Sequence, residues 1–130
     1  MTTQELLQRT KAAWPSLRGM DTEQKNAMLL AMADSLLTQK DQILRKNAAD
    51  LAAAKDHVAP VMLDRLLLDE GRLLGMADGI RAIAALPDPD GRVLSELTRP
   101  NGMVIRKVQV PLGLIAIIYE SRPNVTSDAA

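Results

Sequence analysis

Cysteine is absent from the 130-residue sequence, and aromatic residues make up only 2% of it. Without cysteine, these residues contain no disulfide, no thiolate metal site and no thiol nucleophile. With one Trp, one Tyr and no Phe, the core has to be built from aliphatic side chains. The sequence therefore predicts an aliphatic globular protein that carries out no cysteine chemistry of its own.

Neither sign of charge is in excess, because 16 basic residues balance 16 acidic ones. A nucleic-acid-binding surface needs a basic excess on one face, so no nucleic-acid partner is expected. The longest apolar run, residues 112–119, is too short to cross a membrane, and the N-terminus lacks the features of a secretion signal. We expect no membrane partner and a cytoplasmic location.

The first two-thirds of the chain has the three- and four-residue apolar spacing that is typical of amphipathic helices. Pro15 predicts the end of the first helix, and Asp21 with Gln24 predicts a capped start for the second. Three more helices are predicted, at residues 43–52, after Pro60 and from a cap at Asp69.

Two short extended segments follow, at residues 93–97 and 103–110. They are joined by Asn101-Gly102, a pair that readily takes the positive φ of a tight turn and predicts a β-hairpin. Neither face of the second segment is cleanly apolar. This pattern favours an exposed ribbon over a central strand.

Residues 114–119, LIAIIY, form a continuous apolar and largely β-branched run. Such a run is typical of a strand that is buried on both faces of a parallel sheet. Pro123 then favours the start of a helix, because proline is tolerated in a first helical turn. We therefore predict a strand followed directly by a helix.

Polar residues that follow a parallel strand lie where α/β proteins form their ligand crevices. Glu120, Ser121 and Arg122 occupy that place in the sequence and are candidate substrate- or cofactor-binding residues. The guanidinium of Arg122 can hold a phosphate or a carboxylate, or it can be a solvated surface charge. His57, the only histidine, has no partner cluster, so no metal site is predicted.

The block at residues 110–126, VPLGLIAIIYESRPNVT, resembles the signature of the γ-glutamyl phosphate reductases, which belong to the aldehyde dehydrogenase superfamily. Upstream stretches at residues 47–51, 62–66 and 97–107 agree with it. The resemblance implies an α/β protein cut to its N-terminal part. Its expected parts are a helical region at residues 1–91, a β-ribbon oligomerisation arm at 92–110, and the first strand and helix start of a nucleotide-binding domain at 111–130.

The resemblance also implies an activity, the NADPH-dependent reduction of L-glutamyl 5-phosphate to L-glutamate 5-semialdehyde and phosphate in proline biosynthesis. In the family, a cysteine thiolate attacks the acyl phosphate, and hydride reduces the resulting thioester. Because these residues lack that cysteine, the 130-residue chain alone is expected to be inactive. The intact protein is expected to be a homo-oligomer with a functional association to glutamate 5-kinase.

Asn124 matches the asparagine whose side-chain amide stabilises the oxyanion in this superfamily. Read without the resemblance, Asn124 is simply a residue at a helix start. Two functions stay open at this point. The chain belongs to a reductase, or it is a non-catalytic helical module with a binding or assembly role.

Overall fold

The computed structural model describes residues 2–120 and 122–129. These residues form six helices and one two-stranded sheet, in the order α1 (Thr3–Arg18), α2 (Thr22–Thr38), α3 (Lys40–Ala54), α4 (Pro60–Leu66), α5 (Glu70–Ala84), β1 (Val93–Thr98), β2 (Val104–Val108) and α6 (Val125–Ala129). The predicted α/β class is confirmed, with helices predominating over a small antiparallel sheet. Within the described residues, no helix has the length and apolar character that a membrane span requires.

The chain divides into two compact units, and each draws on two separate stretches of sequence. The first unit runs to Thr22 and resumes from Pro87 to Ala116. The second runs from Glu23 to Leu86 and resumes at Ile117. The division into domains at residues 91 and 110 stays a prediction.

In the first unit, α1 begins with a capping box. The N–H of Glu5 donates to Thr2 Oγ1 at 3.2 Å, and the N–H of Thr2 donates to Glu5 Oε2 at 2.7 Å. The helix continues through Pro15 to Arg18, so the prediction that Pro15 ends it is wrong. The fixed φ of proline is itself helical, and the hydrogen bond lost with its missing N–H falls in the last turns of the helix.

The predicted hairpin is confirmed, and all residues of both strands are exposed. β1 pairs antiparallel with β2, and Glu96 lies opposite Arg106. These two side chains form an ion pair with 2.5 Å between Arg106 Nε and Glu96 Oε2. Gly102 supplies the positive φ of the turn, at 81°. The ribbon therefore has an exposed surface on both of its faces.

The predicted buried strand at residues 114–119 is wrong for the described part of the chain. These residues form no strand, and Ile118 is fully exposed. A strand needs a neighbour to pair its backbone N–H and C=O groups, and the sheet of the described residues contains only β1 and β2. The helix start that was predicted after Pro123 is present as α6. The assignment of residues 111–130 to a nucleotide-binding domain stays a prediction.

The core of the second unit is aliphatic, as the composition requires. Ala33 from α2 is buried with Ala77 and Ile80 from α5, and half-buried leucines and a methionine of α2 pack against them. At the surface, Arg81 Nη2 lies 2.9 Å from Asp34 Oδ1. The hydrogen bond with Asp34 raises the pKa of Arg81 above its ordinary value. Because such pairs are solvated, the buried alanines and Ile80 contribute more to stability than this ion pair does.

Candidate functional site

A polar cleft of about 450 Å³ lies in the second unit. Four of its lining residues belong to α4 and to the turn that follows it, two belong to α5, and three directly precede α6. They are Asp64, Arg65, Leu67, Leu68, Arg72, Met76, Arg122, Pro123 and Asn124. Three guanidinium groups, one carboxylate and one amide thus share a single concave surface, which we call the arginine cleft.

Arg72 anchors one wall of the arginine cleft. Its Nη2 donates to Asp64 Oδ1 at 2.8 Å, and its Nη1 donates to the backbone carbonyls of Asp64 and Leu67. These carbonyls lie at the C-terminal end of α4, where the last C=O groups of a helix have no intrahelical partner. Arg72 therefore ties the end of α4 to α5 and balances the charge of Asp64.

A buried amide holds the turn between α4 and α5. Asn47 on α3 is only 5% exposed. Its Nδ2 donates to the carbonyl of Leu66 at 2.8 Å, and its Oδ1 accepts the N–H of Leu68 at 2.8 Å. Both polar ends of the side chain are therefore satisfied by backbone, as a buried amide requires. Asn47 and Arg72 together fix the backbone on both sides of Arg65.

The start of α5 has the side-chain cap that the sequence predicted. The Oδ1 atom of Asp69 accepts the N–H of Arg72 at 2.7 Å, so the predicted cap at Asp69 is confirmed. This bond satisfies one of the free N–H groups in the first turn of α5. It also holds the backbone of the residue whose guanidinium reaches back to α4.

The segment that precedes α6 supplies the other polar groups of the arginine cleft. The backbone carbonyl of Asn124 accepts the N–H groups of Ser127 and Asp128, each at 3.0 Å. The side-chain Nδ2 of Asn124 donates to Asp128 Oδ2 at 2.8 Å. An amide nitrogen carries two hydrogens, so one remains for a ligand. The bond to Asp128 fixes the direction in which the amide points.

Two of the four predicted site residues, Arg122 and Asn124, line the arginine cleft. Glu120 is exposed and is not among the lining residues, and Ser121 lies outside the described residues. The ligand-binding roles of all four stay predictions. Sequence reasoning missed Arg65 and Arg72 as members of the cleft. The stretch at residues 62–66 contributes to the resemblance and to the helix predicted after Pro60, but neither singles out Arg65. Nothing in the apolar spacing of α5 singles out Arg72 either.

A second cavity of about 430 Å³ lies in the same unit and is mainly apolar. Side chains from α2, α3 and α5 line it, together with Pro123, Thr126 and Ser127. Tyr119 Oη lies 2.5 Å from Thr126 Oγ1, which ties the segment before α6 to the helix itself. Pro123 lines both this cavity and the arginine cleft. Among the described residues, no group of three or more acidic or histidine side chains is placed to hold a metal ion.

Solved structures show which class of protein has this fold. The crystal structure of the γ-glutamyl phosphate reductase of Thermotoga maritima matches 97% of this chain with a TM-score of 0.92 and 35% sequence identity. That of the Saccharomyces cerevisiae reductase matches 99% with a TM-score of 0.90 and 30% identity. The chain covers 31% and 33% of these two proteins. The described residues thus have the fold of part of a reductase of this class.

Curated sequences agree with the structures, although no protein-family model matches the chain. A relative from Neisseria meningitidis named γ-glutamyl phosphate reductase is 57% identical over 128 residues, which is 98% of this chain and 30% of the relative. A Streptococcus suis protein of the same name is 54% identical over 129 residues. Sequence and fold together place the chain in the γ-glutamyl phosphate reductase family. It spans about 30% of the length of these curated relatives.

Proposed function

We propose that the chain is the N-terminal part of an NADPH-dependent enzyme that reduces L-glutamyl 5-phosphate to L-glutamate 5-semialdehyde and releases phosphate. The observation that carries this proposal is the 57% identity to a protein named for the reaction, which extends over 98% of the chain. The arginine cleft supports it, because an acyl phosphate needs cationic partners for its phosphoryl group and a donor for its acyl oxygen. A role in proline biosynthesis, a cytoplasmic location, a homo-oligomeric state and an association with glutamate 5-kinase belong to the same proposal.

In this reaction Asn124 donates a hydrogen bond to the acyl oxygen as negative charge develops on it. A preorganised donor of this kind contributes roughly 3 kcal/mol to transition-state stabilisation. One amide hydrogen of Asn124 is held by Asp128, so the amide is already oriented before the ligand arrives. The donor therefore needs little rearrangement to meet the oxyanion.

The thiolate that attacks the acyl carbon has to come from outside these 130 residues, because they contain no cysteine. Its attack forms a thioester and expels phosphate. NADPH, when bound in the intact protein, would supply the hydride needed to reduce the acyl group to the aldehyde. The residues of this chain bind and orient the acyl phosphate until the thiolate displaces phosphate from it.

The absence of cysteine also favours a second candidate, a non-catalytic module with a binding or assembly role. A chimera separates the two functions. Residues 2–129 replace the matching segment of the Neisseria meningitidis relative, which supplies the remainder of the protein. The assay is the phosphate-dependent oxidation of glutamate 5-semialdehyde with NADP⁺. We expect turnover by the chimera and none by the 130-residue chain alone.

The role of Asn124 is tested in the same chimera. Asn124→Ala should lower kcat by about 10²- to 10³-fold, because the donor acts on charge that is present only in the transition state. Asn26→Ala, which removes a half-exposed amide from α2, is the matched control and should leave kcat unchanged. A folded but inactive chimera supports the non-catalytic module. An active chimera whose kcat is insensitive to Asn124→Ala contradicts the oxyanion role.

A further inference from the structure

Two arginines of the arginine cleft carry charges that no neighbouring carboxylate balances. Among the described residues that line the cleft, Asp64 is the only acidic one, and Arg72 forms an ion pair with it. Within residues 2–120 and 122–129, Arg65 and Arg122 have no ion-pair partner. Since Asp64 is already paired, its charge does not oppose an incoming anion as strongly as a free carboxylate would. The cleft is therefore suited to a ligand with two negative charges.

Side chains hold the backbone around Arg65 through four hydrogen bonds. Asn47 holds the carbonyl of Leu66 and the N–H of Leu68, and Arg72 holds the carbonyls of Asp64 and Leu67. Four backbone groups around Arg65 are thus fixed before any ligand binds. A ligand that binds Arg65 therefore does not have to order this part of the backbone, which lowers the entropy cost of binding.

We propose that Arg65 and Arg122 bind one phosphoryl group between them, while Arg72 acts as a positioning residue that holds α4. A guanidinium presents its N–H groups in a planar fork that matches two phosphoryl oxygens. Asn124 lines the same cleft, and in an acyl phosphate the acyl oxygen and the phosphoryl oxygens lie within a few bonds of each other. The phosphoryl group belongs to the acyl phosphate of the substrate or to the 2′-phosphate of the cofactor, and this part of the proposal rests on the proposed function. The presence of an anion site does not depend on the proposed function.

Titration of the full 130-residue chain with inorganic phosphate, followed by calorimetry at low ionic strength, tests the proposal. We expect binding by the wild type, and binding about tenfold weaker in both Arg65→Gln and Arg122→Gln, since each variant loses charged hydrogen bonds. The matched control is Arg45→Gln. Arg45 is an exposed arginine of the same unit that bonds to a backbone carbonyl of its own helix and does not line the cleft. The Arg45→Gln variant should bind phosphate as tightly as the wild type does.

Arg65→Lys and Arg122→Lys keep the charge and lose the fork, so they should bind phosphate with intermediate affinity. Circular dichroism of each variant shows whether its helices are intact. Absence of phosphate binding by the folded wild-type chain overturns the proposal. Equal weakening in Arg45→Gln also overturns it, because that result indicates a diffuse response to net charge.

Adenosine 2′-phosphate identifies the source of the phosphoryl group. Binding tighter than that of inorganic phosphate assigns the cleft to the cofactor, and equal or weaker binding assigns it to the substrate. The chimera keeps this proposal separate from the proposed function. If the chimera folds but is inactive while the 130-residue chain still binds phosphate, the proposed reductase function is refuted and the anion site is retained. If the chimera is active while the 130-residue chain does not bind phosphate, only the anion site is refuted.

Discussion

Replacing the buried Asn47 with alanine should destabilise the chain more than its small change in volume suggests. The N–H of Leu68 is buried and would lose the one acceptor it has among the described residues, at a cost of about 1–3 kcal/mol. The carbonyl of Leu66 is partly buried and would lose its donor, at a cost of about 0.5–1.5 kcal/mol. The better helix propensity of alanine offsets at most about 0.7 kcal/mol. We therefore expect Asn47→Ala to lower the free energy of unfolding by roughly 2–3 kcal/mol.

Urea titration of the full chain, followed by circular dichroism at a helical wavelength, measures this difference. An unchanged slope of free energy against urea would show that the variant and the wild type expose similar surface on unfolding. Asn26→Ala is again the matched control, since it removes a half-exposed amide from a helix, and it should leave stability unchanged or slightly raised. A loss below about 0.5 kcal/mol for Asn47→Ala, typical of a surface substitution, would refute the argument that this amide holds the turn between α4 and α5.

Two further predictions concern the ribbon turn and the ion pair between α3 and α5. Gly102→Ala should lower the free energy of unfolding by about 1 kcal/mol in urea titration, because the positive φ of Gly102 disfavours a side chain even where space is open. Gly75 lies in a helix and has equal space around it, so Gly75→Ala should instead raise the free energy of unfolding by up to about 1 kcal/mol. If both substitutions changed the free energy of unfolding in the same direction, the conformational argument would be contradicted. The hydrogen bond to Glu70 raises the pKa of Lys40 above its ordinary value of 10.5. The stability that this pair contributes is therefore present below pH 10.5 and is lost as the pH rises through the raised pKa. Thermal melts between about pH 9 and pH 12 should show a larger fall in Tm for the wild type than for Lys40→Met, and parallel curves would contradict this coupling.

Much of the helical part could be predicted because local signals act there. Asp69 caps α5 through a bond to a residue only three positions away, and Asn101-Gly102 determines the ribbon turn through its own backbone preference. The prediction that Pro15 ends α1 was wrong because the effect of a proline depends on its position within the helix. That position is known only once the end of the helix is known. The apolar run at residues 114–119 misled because a strand depends on a partner that local sequence does not specify.

The candidate site could be predicted only in part, for a related reason. Asn124 and Arg122 both lie within the sequence block at residues 110–126. The resemblance pointed to Asn124, and the position directly after a predicted strand pointed to Arg122. Arg65 comes from α4, far away in sequence, and joins them only through the packing of the second unit. Nor did the sequence single out Asn47, since its two bonds cross 19 and 21 residues to backbone groups that any sequence would present.

The exposed apolar segment between β2 and α6 also bears on the behaviour of the chain in solution. Leu112 is 91% exposed and Ile118 fully so. Covering either side chain would gain roughly 1.5–3 kcal/mol. Any apolar surface that meets this segment, whether a hydrophobic dye, a chaperone or a neighbouring polypeptide, is therefore favoured thermodynamically. Within residues 112–119 the backbone N–H and C=O groups make no backbone hydrogen bond to another described residue, so a single partner strand could bury these side chains and pair with this backbone in one step.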